Sequence, residues 1–243
     1  MKFFEKGDSD KCVVVLHPML ADHGSVVELA RFMGEGYRYI IPDLTGHGAD
    51  MDSTFVSVKD EADRLINYLE QQNIFKIDYL IGFSMGALVA LEVFSRRPEM
   101  VGKVVLEGVP LFNYGPLFRW IAKKSYLNMQ KKASSDTALM AAEFAKTFGK
   151  ATGEKMASDF AKMKPETVAN CAIACAKVSF PKIADEHQKK MIFRYGDKDG
   201  NYKQGTKITY RHYRDAKFVV ERGYDHCELP MKRPERFVKE IME

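Results

Sequence analysis

Short, mainly apolar segments alternate along this chain with segments of helical periodicity, and this alternation constrains the fold more than any other feature. Strands buried on both faces read as continuous apolar runs, whereas strands with one solvated face alternate apolar and polar residues. The apolar runs cover residues 12–16, 37–41, 77–81, 103–106, 190–195 and 217–221. Intervening segments, such as residues 58–72, carry apolar side chains every three or four positions. The pattern predicts an α/β fold with a mostly parallel sheet flanked by helices.

The stretch from residue 111 to residue 185 interrupts this alternation. It contains no convincing strand and is rich in Lys, Ala, Met and Phe, which is typical of several consecutive helices. We therefore predict a core formed by residues 1–110 and 186–243 and a helical cap, or lid, formed by residues 111–185. Because an inserted helical segment cannot bury its apolar side chains alone, we expect the cap to pack over one edge of the sheet.

The composition argues against several classes of protein. The 243-residue chain has a net charge of +4 with both signs interspersed, so no nucleic-acid partner is expected. No apolar run is long enough to span a bilayer and the N-terminus lacks a signal-peptide pattern, so we expect a cytoplasmic protein without a membrane partner. The four cysteines form no CxxC motif, and we expect no metal site. No dinucleotide-binding or phosphate-binding motif occurs, so no cofactor is expected either.

The most specific motif is GFSMG at residues 82–86, which matches GxSxG. It lies between an apolar strand and an Ala-rich helix, the context in which this motif forms a tight turn with the serine in a strained conformation. Side chains two positions before and after the serine would clash, which explains Gly82 and Gly86. The turn lifts the hydroxyl above the sheet and places the Met85 N–H at a helix start, where developing negative charge is favoured. We predict that Ser84 is a nucleophile.

A serine nucleophile requires a base, and the chain contains six histidines. His226 follows the last predicted strand and should reach the same edge of the sheet as Ser84, so it is the predicted general base. His17 ends the first strand and is predicted to organise the loop that follows, and His47 to shape another loop through hydrogen bonds. The remaining three, His23, His187 and His212, are expected at the surface.

The base in turn requires a carboxylate that orients it. Asp199 follows the strand at residues 190–195, which gives the chain order serine, aspartate, histidine expected on this scaffold. Two other carboxylates remain open as alternatives. Asp197 lies in the same loop, and Glu107 ends the strand that follows the nucleophile helix, from which it could also reach the base.

Taken together, these motifs resemble those of the α/β-hydrolase superfamily, in particular its small esterase, lipase and C–C hydrolase branch. The matching motifs run through most of the chain outside the helical insertion: His17-Pro18, Asp43 to Gly48, GFSMG, GDKD at residues 196–199 and GYDH at residues 223–226. The resemblance implies that the backbone N–H groups of Met19 and Met85 form the oxyanion hole. This chain departs from the family in having Pro18 where glycine is usual. Proline has no N–H, but the donor that the hole requires belongs to Met19.

The resemblance implies a serine hydrolase that cleaves a carboxylic ester of a small or medium apolar molecule through an acyl-enzyme. The same triad could instead serve a C–C bond hydrolase, a thioesterase, a lactonase or an aminopeptidase, and the same scaffold could serve a non-enzymatic small-molecule receptor. The pattern does not predict the oligomeric state. Several apolar side chains are candidates for the substrate pocket, although packing in a core is the favoured interpretation for each of them: Met19, Leu20, Phe83, Met85, Phe112, Phe118 and Trp120.

Overall fold

The computed structural model describes residues 1–243, and at its centre lies a seven-stranded sheet. The strands are β1 (Glu5–Lys6), β2 (Cys12–Leu16), β3 (Arg38–Ile40), β4 (Ile77–Phe83), β5 (Val101–Glu107), β6 (Met191–Gly196) and β7 (Lys217–Glu221). They are ordered β1-β3-β2-β4-β5-β6-β7, and every neighbouring pair is parallel except β1 with β3. The predicted α/β fold with a mostly parallel sheet is confirmed.

Helices cover both faces of this sheet. They are α1 (Glu28–Met33), α2 (Val58–Gln71), α3 (Met85–Arg96), α4 (Pro116–Ser135), α5 (Thr137–Phe148), α6 (Lys150–Lys162), α7 (Pro165–Ala176), α8 (Asp185–Gln188), α9 (Tyr202–His212), α10 (Glu228–Lys232) and α11 (Pro234–Met242). In β2, Val13 and Val15 join one apolar cluster, while Val14 and Leu16 join the other. Successive side chains of a strand point to opposite faces, so two cores sandwich the sheet. No helix combines the length and apolar content needed to cross a bilayer.

The parallel sheet gathers the candidate site at one edge. The carboxyl end of β4 leads to Ser84, that of β6 to Asp199 and that of β7 to His226. Because the carboxyl ends of parallel strands share an edge, residues that are far apart in sequence meet there.

Helices α4 to α7 lie between β5 and β6 in the chain and contact the loops at this same edge. Thr167 Oγ1 accepts a hydrogen bond from Phe55 N at 3.2 Å, and the Asn170 side chain donates to Phe55 O at 2.9 Å. Lys155 Nζ forms an ion pair with Asp22 at 2.8 Å. Phe55 and Asp22 belong to the connections that follow β3 and β2, so the inserted helices are attached to the carboxyl edge.

The core elements β1, α9 and α10 have no counterpart in the sequence prediction, and the first two show why. Strand β1 has only two residues, both exposed, so no apolar pattern marks it. Helix α9 is mostly polar, and its buried side rests on Gly205, Ile208 and Thr209. Such a narrow apolar stripe is too short to be recognised by periodicity alone.

Candidate active site

The turn that carries Ser84 has the geometry that GxSxG predicts. Ser84 adopts φ 50° and ψ −114°, a left-handed conformation that non-glycine residues rarely occupy. A Cβ on Gly82 would lie 2.6 Å from Ala87 Cα, and a Cβ on Gly86 would overlap the carbonyl oxygen of Leu16. The Ser84 N–H donates to Glu107 O at 2.8 Å, which joins the turn to the end of β5. The neighbouring backbone therefore holds Ser84 in its strained conformation.

Ser84, His226 and Asp199 form a continuous hydrogen-bonded chain. His226 Nε2 lies 2.9 Å from Ser84 Oγ, and His226 Nδ1 lies 2.9 Å from Asp199 Oδ2. The arrangement fits a ring that donates Nδ1–H to the carboxylate and accepts the serine O–H at Nε2. The second carboxylate oxygen of Asp199 accepts the backbone N–H of Asn201 at 2.8 Å, which fixes the orientation of the acid. The structure thus brings together the three side chains that the sequence singled out.

The surroundings of His226 favour its protonated form. Burial by itself disfavours a charged ring, but the adjoining Cys227 and the Asp199 carboxylate favour it and hold the pKa of His226 well above its ordinary value. The backbone of Cys227 adopts the left-handed conformation, and its side chain is buried. This burial raises the pKa of the Cys227 thiol. An imidazole with a raised pKa is a stronger base once it is neutral, which suits proton abstraction from a serine.

Neither alternative carboxylate contacts the ring. Asp197 is exposed, and its Oδ1 accepts the Gly223 N–H at 2.8 Å. Glu107 is buried, with its Oε2 3.4 Å from Arg194 Nε. Burial raises the pKa of Glu107 to about 7, and Arg194 opposes that shift. Asp197 therefore ties two loops together, while Glu107 belongs to a buried ion pair behind the hydrogen-bonded chain.

Asn201 is a site residue that the sequence analysis missed. Its Nδ2 donates to Gly108 O at 3.1 Å and lies 3.3 Å from His226 Nδ1. It thereby bridges the loops after β5 and β6 beside the imidazole. The signal was its position, two residues after Asp199 in the same loop, but an asparagine in a polar turn is common.

The loop that carries Met19 is fixed by His17, as the sequence predicted. The buried His17 ring bonds Pro18 O through Nδ1 at 2.8 Å, and its Nε2 accepts the Leu44 N–H at 2.9 Å. Burial lowers the pKa of His17, so the ring is neutral and can donate from one nitrogen while accepting at the other. Pro18 thus contributes its carbonyl oxygen to the hydrogen bonding of this loop.

Two backbone donors remain free near the serine. No loop or side-chain hydrogen bond uses the N–H of Met19. Met85 is the first residue of α3, where an N–H has no acceptor inside the helix. Both residues are almost fully buried. These are the two groups that the family resemblance assigns to an oxyanion hole.

Several expected pocket residues lie elsewhere. Phe83 is fully buried in the sheet core, with its ring centroid 5.7 Å from that of Phe237, and the Met85 side chain is fully buried. Phe118 and Trp120 are exposed on the outside of α4. Alternate residues of a strand face opposite sides, and Phe83 faces the core, so core packing rather than pocket contact describes Phe83 and Met85. Phe118 and Trp120 pack in neither a core nor a pocket, because α4 turns that part of its surface to solvent.

A cavity of about 550 Å³ lies beside α3, between the start of α2 and the end of α7. Its wall on α3 begins with Leu88, one turn after Ser84, and continues to Leu91 and Glu92. Asn113 and Lys177 border it on the side of the inserted helices. Neither Ser84 nor His226 lines this cavity.

One group of side chains has the donors for a metal ion. Ligand atoms of Asp22, His23 and Asp43 lie within 4.8 Å of one another. His23 was expected at the surface but is half-buried, with Nδ1 2.9 Å from Asp43 Oδ1. Asp43 also accepts the His23 and Ala49 N–H groups, and the Lys155 ammonium neutralises Asp22. Lys155, which also pairs with Asp159, and the hydrogen-bond donors around Asp43 already occupy the oxygens that a metal ion would need.

The sequence is similar to a known protein family and to individual proteins of known sequence. Residues 13–240 match the model of the alpha/beta hydrolase family. A pimeloyl-[acyl-carrier protein] methyl ester esterase of Yersinia pseudotuberculosis is 26% identical over 131 residues, 54% of this chain and 49% of that protein. A putative esterase/lipase of Haemophilus influenzae is 28% identical over 94 residues, 39% of this chain and 32% of that protein. The matches span half or less of these two relatives.

Solved structures extend the likeness over nearly the whole chain. A thermophilic esterase from Thermogutta terrifontis superposes with a TM-score of 0.75 at 21% identity, covering 99% of this chain and 90% of that one. A bromoperoxidase from Bacillus anthracis gives 0.77 at 20% identity, with coverage of 99% and 93%. Identities this low show a shared fold alone. The match to the family model over residues 13–240 establishes that the chain belongs to the alpha/beta hydrolase family.

Proposed function

We propose that this protein is a serine hydrolase that cleaves carboxylic esters of small or medium apolar molecules. The observation that carries the proposal is the chain of two 2.9 Å contacts from Ser84 Oγ through His226 to Asp199, on a strained turn at the carboxyl edge of the sheet. A merely structural serine has no need of a left-handed conformation, which costs about 1–3 kcal/mol.

Each group has a defined part in the reaction. His226 Nε2 removes the Ser84 proton while Oγ attacks the ester carbonyl carbon, and the N–H groups of Met19 and Met85 stabilise the resulting oxyanion. His226 then gives that proton to the leaving alkoxide as the C–O bond breaks. Water attacks the acyl-enzyme, again losing a proton to His226, and the acid leaves as that proton returns to Ser84 Oγ. Asp199 stabilises the imidazolium in both halves of the cycle.

The preference for an ester rests on the comparisons. The two curated relatives are named as esterases, and so is the Thermogutta terrifontis neighbour. The site supports this chemistry because it offers a nucleophile, a base and two free N–H donors. The inserted helices, for which we propose the role of a cap, contact the loops of the same edge and would limit the size of the acyl group.

The test is turnover of p-nitrophenyl esters from acetate to palmitate. We expect kcat/KM to rise by at most about fourfold per methylene, from on the order of 0.8 kcal/mol per buried CH₂, and to fall once the acyl site is full. Ser84→Ala should lower kcat by on the order of 10⁶-fold, more than the loss of the acid, because triad members act as a unit and no other group replaces the nucleophile. The matched control is Ser95→Ala, since Ser95 also lies on α3 but bonds only Glu92 O.

Two results would contradict the proposal. Near-normal ester turnover by Ser84→Ala would remove Ser84 as the nucleophile. A steady rise in kcat/KM up to palmitate would exclude the size limit assigned to the inserted helices. If no ester reacts, the ester assignment is wrong, and thioester, lactone and aminoacyl substrates become the next to examine on the same triad.

A further inference from the structure

The first half of α4 carries large apolar side chains that are about half or more exposed to solvent. Leu117, Phe118, Trp120 and Ile121 are 64%, 60%, 53% and 46% exposed. Further along, the same helix packs into the inserted helices, where Gln130 and Ala133 are buried. We call residues 116–124 the α4 tip. Contiguous exposed apolar surface of this kind is rare in a soluble monomer and marks an interaction site.

The α4 tip is amphipathic, with cations around its apolar surface. At about 100° per residue, Leu117, Phe118, Trp120 and Ile121 occupy one continuous arc of the helix, and Arg119 and Lys123 fall on the other side. Lys124 lies within the arc, with its ammonium 4.2 Å from the centroid of the Trp120 ring. A charged group that stays at an aromatic edge can reach water or phosphate while its alkyl stem remains on the apolar surface.

The positive charge of the inserted helices indicates which kind of partner the α4 tip binds. Residues 111–185 contain twelve Lys or Arg against six Asp or Glu, so the inserted helices carry all of the net positive charge of the chain. Interfaces between proteins are depleted in lysine, whereas helices that lie in a membrane surface combine aromatic and aliphatic residues on one face with lysine and arginine on the other. The tip is also exposed on nearly all sides, so it offers a ridge that can sink into a surface rather than a groove that holds a peptide.

We infer that the α4 tip docks on the surface of an anionic phospholipid bilayer. Its apolar arc enters the boundary between headgroups and acyl chains, and Arg119, Lys123 and Lys124 lie at the phosphates. Only the surface is occupied, because no helix is able to cross. This binding goes beyond the proposed esterase activity and does not depend on it. It replaces the expectation from the sequence that the protein has no membrane partner.

The docking brings a cavity to the membrane. The Tyr114 N–H donates to Ala176 O at 3.0 Å, and Asn113 pairs with Lys177, so the segment before the tip is attached to the end of α7. Asn113 and Lys177 also border the 550 Å³ cavity beside α3. A tip bound to a bilayer therefore places the rim of that cavity close to the lipid.

The chain supplies its own probe, because Trp120 is its single tryptophan. We expect its emission maximum to shift to the blue when full-length protein meets vesicles of equimolar phosphatidylcholine and phosphatidylglycerol. Vesicles of phosphatidylcholine alone should give little shift, and added salt should reverse the binding. Lipids brominated on the acyl chain should quench the emission of the bound protein.

Two paired variants separate the apolar and electrostatic contributions. Leu117→Ser with Ile121→Ser keeps the probe and should weaken vesicle partitioning more than about tenfold. Lys123→Glu with Lys124→Glu should weaken it by a similar factor or more, at about fivefold per charge near an anionic surface. The matched controls are Leu139→Ser and Lys76→Glu. Leu139 is a leucine on α5 that is about as exposed as Leu117, and Lys76 is an exposed lysine outside the inserted helices. Both control variants should bind vesicles like the parent protein. Circular dichroism verifies that all variants are folded.

Three results would overturn the inference. The first is an unshifted Trp120 spectrum with both kinds of vesicle. The second is a blue shift that follows protein concentration without lipid and coincides with a dimer in sedimentation, since a second copy would then cover the α4 tip. The third is equal binding of the parent and the Leu117/Ile121 variant. Esterase activity is unaffected by any of these outcomes, so failure here leaves the proposed function untouched.

Discussion

The sheet core and the inserted helices of this protein are built on different principles. Strands β2, β4 and β5 are buried on both faces, and every residue of β2 is buried. By contrast, α5 has no fully buried residue, and α4 has only Gln130 and Ala133. The core therefore has its structure imposed by burial from all sides, whereas α4 and α5 are held along narrow seams and only α6 and α7 of the inserted helices bury a broader face.

This difference in burial corresponds to the different contributions of the two regions to the candidate site. Ser84, Asp199 and His226 all follow core strands, so their mutual distances depend on the most tightly packed part of the molecule. The inserted helices contribute no member of that hydrogen-bonded chain and present exposed apolar and basic side chains instead. A rigid core is suited to chemistry that tolerates little displacement, and the sparsely buried helices α4 and α5 are suited to contacts that vary.

After the loss of Ser84 itself, the largest expected effect concerns the acid in the core. Asp199→Asn keeps the shape of the side chain but removes the charge that stabilises the imidazolium, so kcat on a p-nitrophenyl ester should fall by about 10⁴-fold. Asp197→Asn is the matched control in the same loop and should retain most of the activity. Steady-state kinetics of the two purified variants gives the comparison.

Glu107→Gln extends that test to the buried ion pair. Glu107 does not contact the ring, so its loss should change kcat far less than the loss of Asp199. Were Glu107→Gln the crippling change, the acid that serves His226 would lie at the end of β5, and the role assigned to Asp199 would be wrong.

The second prediction compares one substitution in the two regions. Phe193 in β6 is fully buried, and its ring centroid lies 5.4 Å from that of Tyr213. Phe193→Ala should lower the free energy of unfolding by about 3–5 kcal/mol, because it leaves a cavity in the core. Phe118→Ala removes the same atoms from an exposed position and should change the free energy of unfolding by less than about 0.5 kcal/mol. Urea unfolding measures both, and similar losses would mean that the two regions are equally packed.

A smaller effect is expected from pH. His226 must be neutral to accept the serine proton, and its surroundings hold its pKa above the ordinary value near 6.5. The rate should therefore rise with pH, and at pH 6 it should be less than about a quarter of its maximum. The profile of kcat/KM checks this. Glu107→Gln should retain the rise even though burial brings the pKa of Glu107 to about 7. A flat profile from pH 5 to 8 would show that another step limits the rate.

Much of the core could be predicted because its local signals agree with its tertiary structure. The apolar runs of β2 and β4 mark buried strands, and GFSMG between a strand and a helix marks a turn with few alternatives. Ser84 and His226 could be singled out because each follows the end of a predicted strand. The sequence favoured Asp199 over Asp197, two residues away in the same loop, and the 2.9 Å contact between Asp199 Oδ2 and His226 Nδ1 agrees with that choice. Asn201 went unnoticed because an asparagine in a polar turn carries no distinctive signal.

The inserted helices could be predicted only as helices. Phe160 is fully buried in α6 and Phe118 is exposed on α4, yet both occur in stretches of similar composition. Which one is buried depends on how neighbouring helices pack, and the periodicity of a single helix does not encode that. For this reason the sequence did not predict that Phe118 and Trp120, candidates for a pocket or for the core of the inserted helices, are exposed.

The most direct test of the central claim is the identity of the residue labelled by a fluorophosphonate. We predict a single phosphonylated residue, Ser84, in the peptide map of the folded protein, because only that hydroxyl is activated by a neighbouring imidazole. Labelling should be lost in Ser84→Ala, retained in Ser95→Ala and greatly slowed in Asp199→Asn. Stable labelling of another serine, or no labelling while ester turnover persists, would contradict the account of Ser84, His226 and Asp199 as a working triad.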